Sequence, residues 1–287
     1  MSEEITELHK DEWPEGLFEI PQKPKKLFVR GKFPDKHAHT FLCIVGSRKH
    51  SSYATESIKK LVSGLKGRNI VIVSGLAIGI DTVAHRTALE NEITTIAVVG
   101  GGVEKDAIYP SINRTLSEEI ISRGGCLISE YEKIESKPWT FPARNRIMAG
   151  LSDAVLVVEA NEKSGTLITA RLALEYNKEL LTVPTTIFSD FGKGSNRLMT
   201  EGARPVFESK DILDTLGIEK STEQKIQSVE LNKQEKQIIK LIRNEIQTFD
   251  EILLESEMKT SHLSQLLMEM EIKGFINKSL GKYESLF

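Results

Sequence analysis

The stretch Phe41-Leu42-Cys43-Ile44-Val45-Gly46-Ser47-Arg48 decides the fold. Five apolar residues in a row, with no polar alternation, predict a strand buried on both faces, and such strands belong to parallel sheets covered by helices. Apolar runs of the same kind recur at 70–74, 94–99, 126–129, 154–158 and 179–183, with helix-length segments between them. The first of those segments, 53–66, sets Ile58, Leu61, Val62 and Leu65 on one helical face. Alternating strands and amphipathic helices predict an extended Rossmann-like α/β domain, with a parallel sheet, over residues 41–217.

On the N-terminal side, residues 1–40 contain Trp13-Pro14, Pro21, Pro24 and Pro34, which reads as an extended lead-in crossing a surface. On the C-terminal side, 218–230 is polar and charged and reads as a linker. The remainder, 231–287, predicts a small winged-helix domain. Ile238, Leu241 and Ile242 mark one helix. Thr248 with Glu251 three residues on forms the capping-box start of a second, and Leu263, Leu266, Leu267 and Met270 line a third beginning near Ser261. Phe275-Ile276, Gly281 and Tyr283 then suggest a hairpin.

Composition narrows the function. A formal net charge of −3 over 287 residues argues against a protein that coats duplex DNA, so any nucleic acid must meet a local basic patch. Cys43 and Cys126 sit inside apolar runs, as expected of buried thiols in a reducing cytoplasm, and no cysteine–histidine spacing suggests a metal site. No apolar run approaches the roughly 20 residues needed to span a bilayer, so no membrane association is expected.

Chemistry gathers where the strands end, which is where open parallel sheets bind ligands. Gly46, Ser47 and Arg48 close the first strand. Ser74-Gly75-Leu76-Ala77-Ile78-Gly79-Ile80-Asp81 follows the second, and either lines an anion site or simply turns the chain. Gly100-Gly101-Gly102 follows the third and reads as a backbone surface open to close approach, or as a lid-like loop. Lys163 precedes Ser164, Gly165 and Thr166, which offer hydroxyls and a helix start suited to phosphate. Gly194-Ser195-Asn196-Arg197 repeats the theme near the last strand. His85, with no histidine or cysteine near it, reads as structural.

Phe141-Pro142-Ala143-Arg144-Asn145-Arg146-Ile147 is the densest cluster. An aromatic face stacks an unpaired base, two guanidinium groups hold phosphates, and an amide bonds a base edge or a backbone group. The plainer alternative is a helix start at Pro142 with Phe141 in the core and the arginines paired to carboxylates, Glu159 among them. The sequence lacks G-x-G-x-x-G, G-x-x-x-x-G-K-[ST] and G-x-S-x-G motifs, which disfavours dinucleotide binding, P-loop ATP hydrolysis and hydrolase chemistry of the nucleophile-elbow kind.

These segments, in this order, together with Tyr109-Pro110-x-x-Asn113, Ser129-Glu130 and Gly202-Ala203, resemble the DNA processing protein DprA (Smf) family over residues 13–215. The resemblance implies a cytoplasmic homodimer that binds single-stranded DNA in a positive pocket and loads the RecA recombinase during natural transformation. It implies a DNA-binding set of Gly46, Ser47, Arg48, Phe141, Arg144, Asn145, Arg146, Lys163, Ser164, Gly165, Thr166 and Asn196, with no catalytic residue, metal or cofactor. The rival reading is a phosphoribohydrolase-like enzyme or a nucleotide sensor on the same fold, but Thr169 stands where the acid of the G-G-x-G-T-x-x-E signature belongs. In the C-terminal domain, Glu230 to Phe287 holds eight Lys or Arg against ten Asp or Glu, and the expected recognition helix carries Glu269 and Glu271 without an arginine. That balance predicts a domain that contacts protein more than duplex DNA.

Overall fold

The computed structural model describes residues 4–218, 232–243, 248–256, 258–273, 275–279 and 281–285. It divides into two compact units, Met1–Glu219 and Lys220–Phe287. The expected linker falls, beyond its first residue, outside the described residues.

The first unit runs β1 (Ile5–Glu7), α1 (Gly16–Glu19), β2 (Phe28–Gly31), β3 (Thr40–Val45), α2 (Ser52–Ser63), β4 (Ile70–Ser74), α3 (Ile80–Glu90), β5 (Thr95–Val98), α4 (Arg114–Ser122), β6 (Cys126–Ser129), α5 (Thr140–Leu151), β7 (Ala154–Val157), α6 (Thr166–Glu175), β8 (Glu179–Thr182), α7 (Lys193–Thr200), β9 (Arg204–Pro205) and α8 (Ser209–Thr215). All nine strands form one sheet in the order β1-β2-β6-β5-β4-β3-β7-β8-β9. From β6 to β9 every pairing is parallel, as the two-faced apolar runs require.

Strand β3 shows why neither of its faces is polar. Phe41, Cys43 and Val45 pack into the core shared with α1, α5 and α6. Leu42 and Ile44 point the other way, into the core built with α2, α3 and α8. Chain order reverses at β3: β4 lies on one side of it and β7 on the other. The helices that follow β3 and β7 cover opposite faces, so the carboxyl ends of these two strands diverge into a crevice.

The lead-in departs from expectation. Instead of crossing a surface, it adds β2 antiparallel to β6 and β1 antiparallel to β2. Between the two strands, Trp13, Leu17, Ile20 and Leu27 are fully buried in the main core, and the Trp13 indole N–H donates to the Leu8 carbonyl at 3.1 Å. Burial of side chains this large contributes about 1.5–3 kcal/mol each. Arg30 in β2 donates to both carboxylate oxygens of Glu118 at 2.8 and 2.7 Å, which fixes α4 over this edge. The prolines mark the turns of an integral segment.

In the second unit, α9 (Lys233–Arg243), α10 (Phe249–Ser256) and α11 (Thr260–Ile272) precede the hairpin β10 (Ile276–Ser279)–β11 (Lys282–Ser285). The capping box is present: the Thr248 N–H donates to Glu251 at 2.9 Å, and the Glu251 N–H donates to the Thr248 hydroxyl at 3.4 Å. Ile238, Ile242, Ile252, Leu263, Leu266, Leu267, Met270, Phe275 and Tyr283 form the core. Three helices and a two-stranded wing make a winged helix.

Candidate nucleic-acid interface

A cleft of about 480 Å³ opens at the β3/β7 switch point. Its walls come from the loop after β3, the loop after β4, the first turns of α5, and the β7–α6 loop with the start of α6. Of the twelve residues expected from sequence, ten line it: Gly46, Ser47, Arg48, Phe141, Arg144, Asn145, Lys163, Ser164, Gly165 and Thr166. Lys49, Ala77, Asp81, Asn161 and Thr169 complete much of the rest. The lining holds four cations (Arg48, Lys49, Arg144, Lys163) and one carboxylate, Asp81. A protein with a net charge of −3 thus concentrates positive charge in one crevice, where low-dielectric walls strengthen it.

The cations sit at two depths. Arg48, Lys49 and Lys163 are exposed at the rim. Arg144 is only 6% exposed and forms the floor, where its guanidinium donates to the Val98 carbonyl at 3.2 Å and lies 3.3 Å from the Met148 sulfur. Its Nε has no hydrogen-bond partner among the described residues. Burial holds the Arg144 pKa below its ordinary value, with Asp81 opposing that shift. Burial likewise pushes Asp81 up, against the pull of Arg144 and of the Ala77 N–H, which donates to it at 3.3 Å. One α3 turn further on, His85 is fully buried, its Nδ1 lies 2.7 Å from the Thr95 hydroxyl, and burial pushes its pKa down to about 3. It is a neutral core residue.

Aromatic surface borders the charge. The Arg48 guanidinium carbon lies 5.6 Å from the centroid of the Phe141 ring, and Phe141 lies 5.8 Å from Tyr109 at 43°. Tyr109 and Ile78 are 57% and 46% exposed and, with Gly75, Gly100 and Phe141, line a small recess beside the cleft. Neither Tyr109, Ile78 nor Lys49 was in the expected set. Lys49 follows Arg48 directly and was legible; the other two arrive from loops that only the fold brings together.

The loops are held by bonds that use several of the expected ligand atoms. Glu159 is 1% exposed and accepts from the Ser51 N–H at 2.9 Å and the Ser51 hydroxyl at 2.6 Å. Its carbonyl accepts from the Ser47 N–H at 2.7 Å. The β3 loop is thereby pinned to the end of β7. The Thr166 hydroxyl donates to the Gly46 carbonyl at 2.9 Å, and the Ser164 hydroxyl accepts from the Thr166 N–H at 3.2 Å. Part of the hydroxyl set therefore builds the walls.

Two expected residues lie elsewhere. Arg146, one position beyond Asn145, turns outward from the cleft, forms an ion pair with Glu130 and donates to the Gln22 carbonyl. Two positions along a helix rotate a side chain by about 200°, so Arg144 and Arg146 cannot share a face. Its expected partner Glu159 is instead committed to Ser51. Asn196 braces the loop before α7: its amide oxygen accepts from the Thr185 N–H at 2.9 Å and its amide nitrogen donates to the Thr185 carbonyl at 2.9 Å. Within the triple glycine, Gly101 and Gly102 are neither an open surface nor a lid. A Cβ on Gly101 would lie 2.8 Å from the Ile134 carbonyl oxygen, and one on Gly102 would lie 2.7 Å from that of Glu132. The segment that approaches it closely is the protein's own 132–136 loop.

The fold and cleft define a doubly wound α/β protein that carries a cationic, aromatic-edged crevice at its switch point and a winged helix at its C-terminal end. Two family models match the chain: DNA recombination-mediator protein A over residues 4–217 and the DprA winged helix domain over residues 223–282. The DNA processing protein DprA of Streptococcus pneumoniae is 40% identical over 209 residues, 71% of each chain. Protein Smf of Escherichia coli is 39% identical over 205 residues, which cover 71% of this chain and 54% of that one. Among solved structures, Streptococcus pneumoniae DprA superimposes with a TM-score of 0.67 at 37% identity, covering 73% of this chain and 74% of that one. Helicobacter pylori DprA, solved for its single-stranded DNA binding mode, gives 0.66 at 31% identity, covering 75% of this chain and 98% of that one. The chain belongs to the DNA recombination-mediator protein A family, the DprA/Smf proteins, and its role is in DNA processing.

Proposed function

We propose that the switch-point cleft binds single-stranded DNA, and that the protein, as a homodimer in the cytoplasm, loads the RecA recombinase onto that strand during natural transformation. The observation that carries the binding step is the juxtaposition of three exposed cations, Arg48, Lys49 and Lys163, with the Phe141 ring at one crevice. Cations hold the phosphates, and an aromatic face takes an unpaired base without regard to sequence. A duplex keeps its bases stacked and offers Phe141 nothing. The Helicobacter pylori relative, named for single-stranded DNA binding, supports the same reading.

The loading step has its own test. On single strands pre-coated with a single-strand-binding protein, adding the chain should shorten the lag in RecA ATP hydrolysis. An unchanged lag, with DNA binding intact, would contradict the loading step alone.

The cleft is proposed to be non-enzymatic. Thr169, 1% exposed, occupies the position where the related hydrolase signature has its acid. The one carboxylate in the lining, Asp81, already accepts the Ala77 N–H and faces Arg144. Incubation with nucleoside monophosphates should release no base. Turnover lost on changing Thr169 would overturn this.

A further inference from the structure

Helix α11 occupies the place of a recognition helix, but its outward side is wrong for a duplex. Buried Leu263, Leu266, Leu267 and Met270 define its inner face. Opposite them, Ser261, Ser264, Gln265 and Met268 form an exposed stripe at helical spacing, with Met268 66% exposed. Glu269 and Glu271, both exposed, flank Met268, one on each side of the helix. Helix α10 repeats the pattern. Leu254 is 79% exposed, with exposed Asp250 one turn before it and exposed Glu255 beside it, while Glu251 is engaged by the Thr248 cap. Neither helix contains a lysine or an arginine. Just beyond α11, Lys273 is committed to the buried Glu235 at 2.9 Å.

Carboxylates repel phosphates, and Met268 and Leu254 offer no hydrogen bond to a base edge. The same composition suits another partner. A large apolar side chain ringed by acids is the complement of an apolar anchor flanked by lysines or arginines. We propose that the outer faces of α10 and α11 dock a basic amphipathic helix of a partner protein, with Leu254 and Met268 as the apolar contacts and Asp250, Glu255, Glu269 and Glu271 setting its charge. This surface is independent of the switch-point cleft.

The probe is a fluorescent 18-residue Leu/Lys amphipathic peptide, compared with a peptide of equal charge in which serine replaces every leucine. Anisotropy titrations use the full chain. The Leu/Lys peptide should bind the parent more tightly than the serine peptide. The Leu254→Ser/Met268→Ser variant should weaken the Leu/Lys peptide at least about tenfold and leave the serine peptide unchanged. The Asp250→Lys/Glu255→Lys variant, which leaves both apolar anchors in place, should weaken both peptides. Affinity for oligo-dT should hold in all variants, which separates this proposal from the reading of the cleft. Equal binding of the two peptides would reduce the effect to general charge attraction and overturn the proposal. So would a Leu/Lys affinity indifferent to both variants, or displacement of that peptide by duplex DNA.

Discussion

Arg144 passes so close to Gly75 that a Cβ at Gly75 would lie 1.3 Å from a guanidinium nitrogen. The floor of the cleft thus depends on an absent side chain in the loop after β4. Gly75→Ala should force the buried guanidinium out of place, with an overpacking cost of about 1–3 kcal/mol in chemical denaturation. Single-strand affinity should fall with it. An alanine variant of unchanged stability and affinity would show that Arg144 has room to move.

The rim cations should behave differently from the floor. Arg48→Ala removes one exposed charge and the contact with Phe141, so the slope of log K against log salt should shrink by roughly 0.7 with little change in stability. Arg144→Ala removes a buried charge that faces Asp81, and should cost about 3 kcal/mol of stability as well as affinity. Adding Asp81→Asn should recover part of the stability. Melting curves and salt titrations on the three variants separate the two roles.

Asn196 and Arg146 act through structure. Asn196→Ala breaks two bonds to the Thr185 backbone, with an expected loss of about 1–2 kcal/mol. Single-strand affinity should stay within about twofold. Arg146→Ala should free Glu130 and the Gln22 carbonyl, again lowering stability while leaving the salt slope unchanged. A changed slope in either variant would return that residue to the binding set.

Acid should destabilise the α/β unit through His85. Its native pKa is pushed down to about 3, whereas an unfolded histidine titrates near 6.5. Below about pH 6.5 the unfolded chain takes up a proton that the native chain does not, so stability falls as the pH drops toward 3. At pH 5 the loss is about 2 kcal/mol. Asp81 works in the opposite sense: its raised native pKa means that stability falls as the pH rises from about 3.8 through that value. Replacing His85 with leucine should therefore flatten the decline between pH 7 and 5 by about 2 kcal/mol. An unchanged decline would mean that the buried ring already carries a proton in the native chain.

Much of the fold was legible, for reasons that can be named. Strands β3 to β8 were readable because runs of apolar residues bury both of their faces, with polar residues few and small apart from Glu179 at the start of β8. The second helix of the winged helix was readable because Thr248 and Glu251 exchange bonds within four residues. The lead-in was misread because its signals conflict. Proline and charge argue for a surface segment, and only tertiary packing shows that Trp13, Leu17 and Ile20 reach the main core. The cleft was legible in its loops but not in its depth. Arg144 comes from a different segment than Gly75 and Asp81, and no local pattern reveals that they meet. Local sequence also cannot tell which of Arg144 and Arg146 faces inward, because both lie on one helix turn and the choice rests on distant Glu130 and Gln22. The glycines at 100–102 read as an open surface or a lid, whereas Gly101 and Gly102 are covered by the protein's own 132–136 loop.

The winged helix gives a further expectation for the cleft. Its α10 and α11 faces carry five acids and no cation, so deletion of 218–287 should leave single-strand affinity within a few-fold. A loss beyond about tenfold, roughly 1.4 kcal/mol, in a deletion that stays folded would show that this unit holds DNA.

Competition between single strand and duplex tests the central claim most directly. The full chain is titrated at fixed salt with labelled oligo-dT and with a hairpin duplex of the same nucleotide length. On the proposed reading Phe141 takes an unpaired base, an interaction of about 1–3 kcal/mol per base engaged, so oligo-dT should bind at least about fivefold more tightly and Phe141→Ala should erase that preference. Equal affinity for the two DNAs, or a preference that survives Phe141→Ala, would contradict the assignment of single-stranded DNA to this cleft.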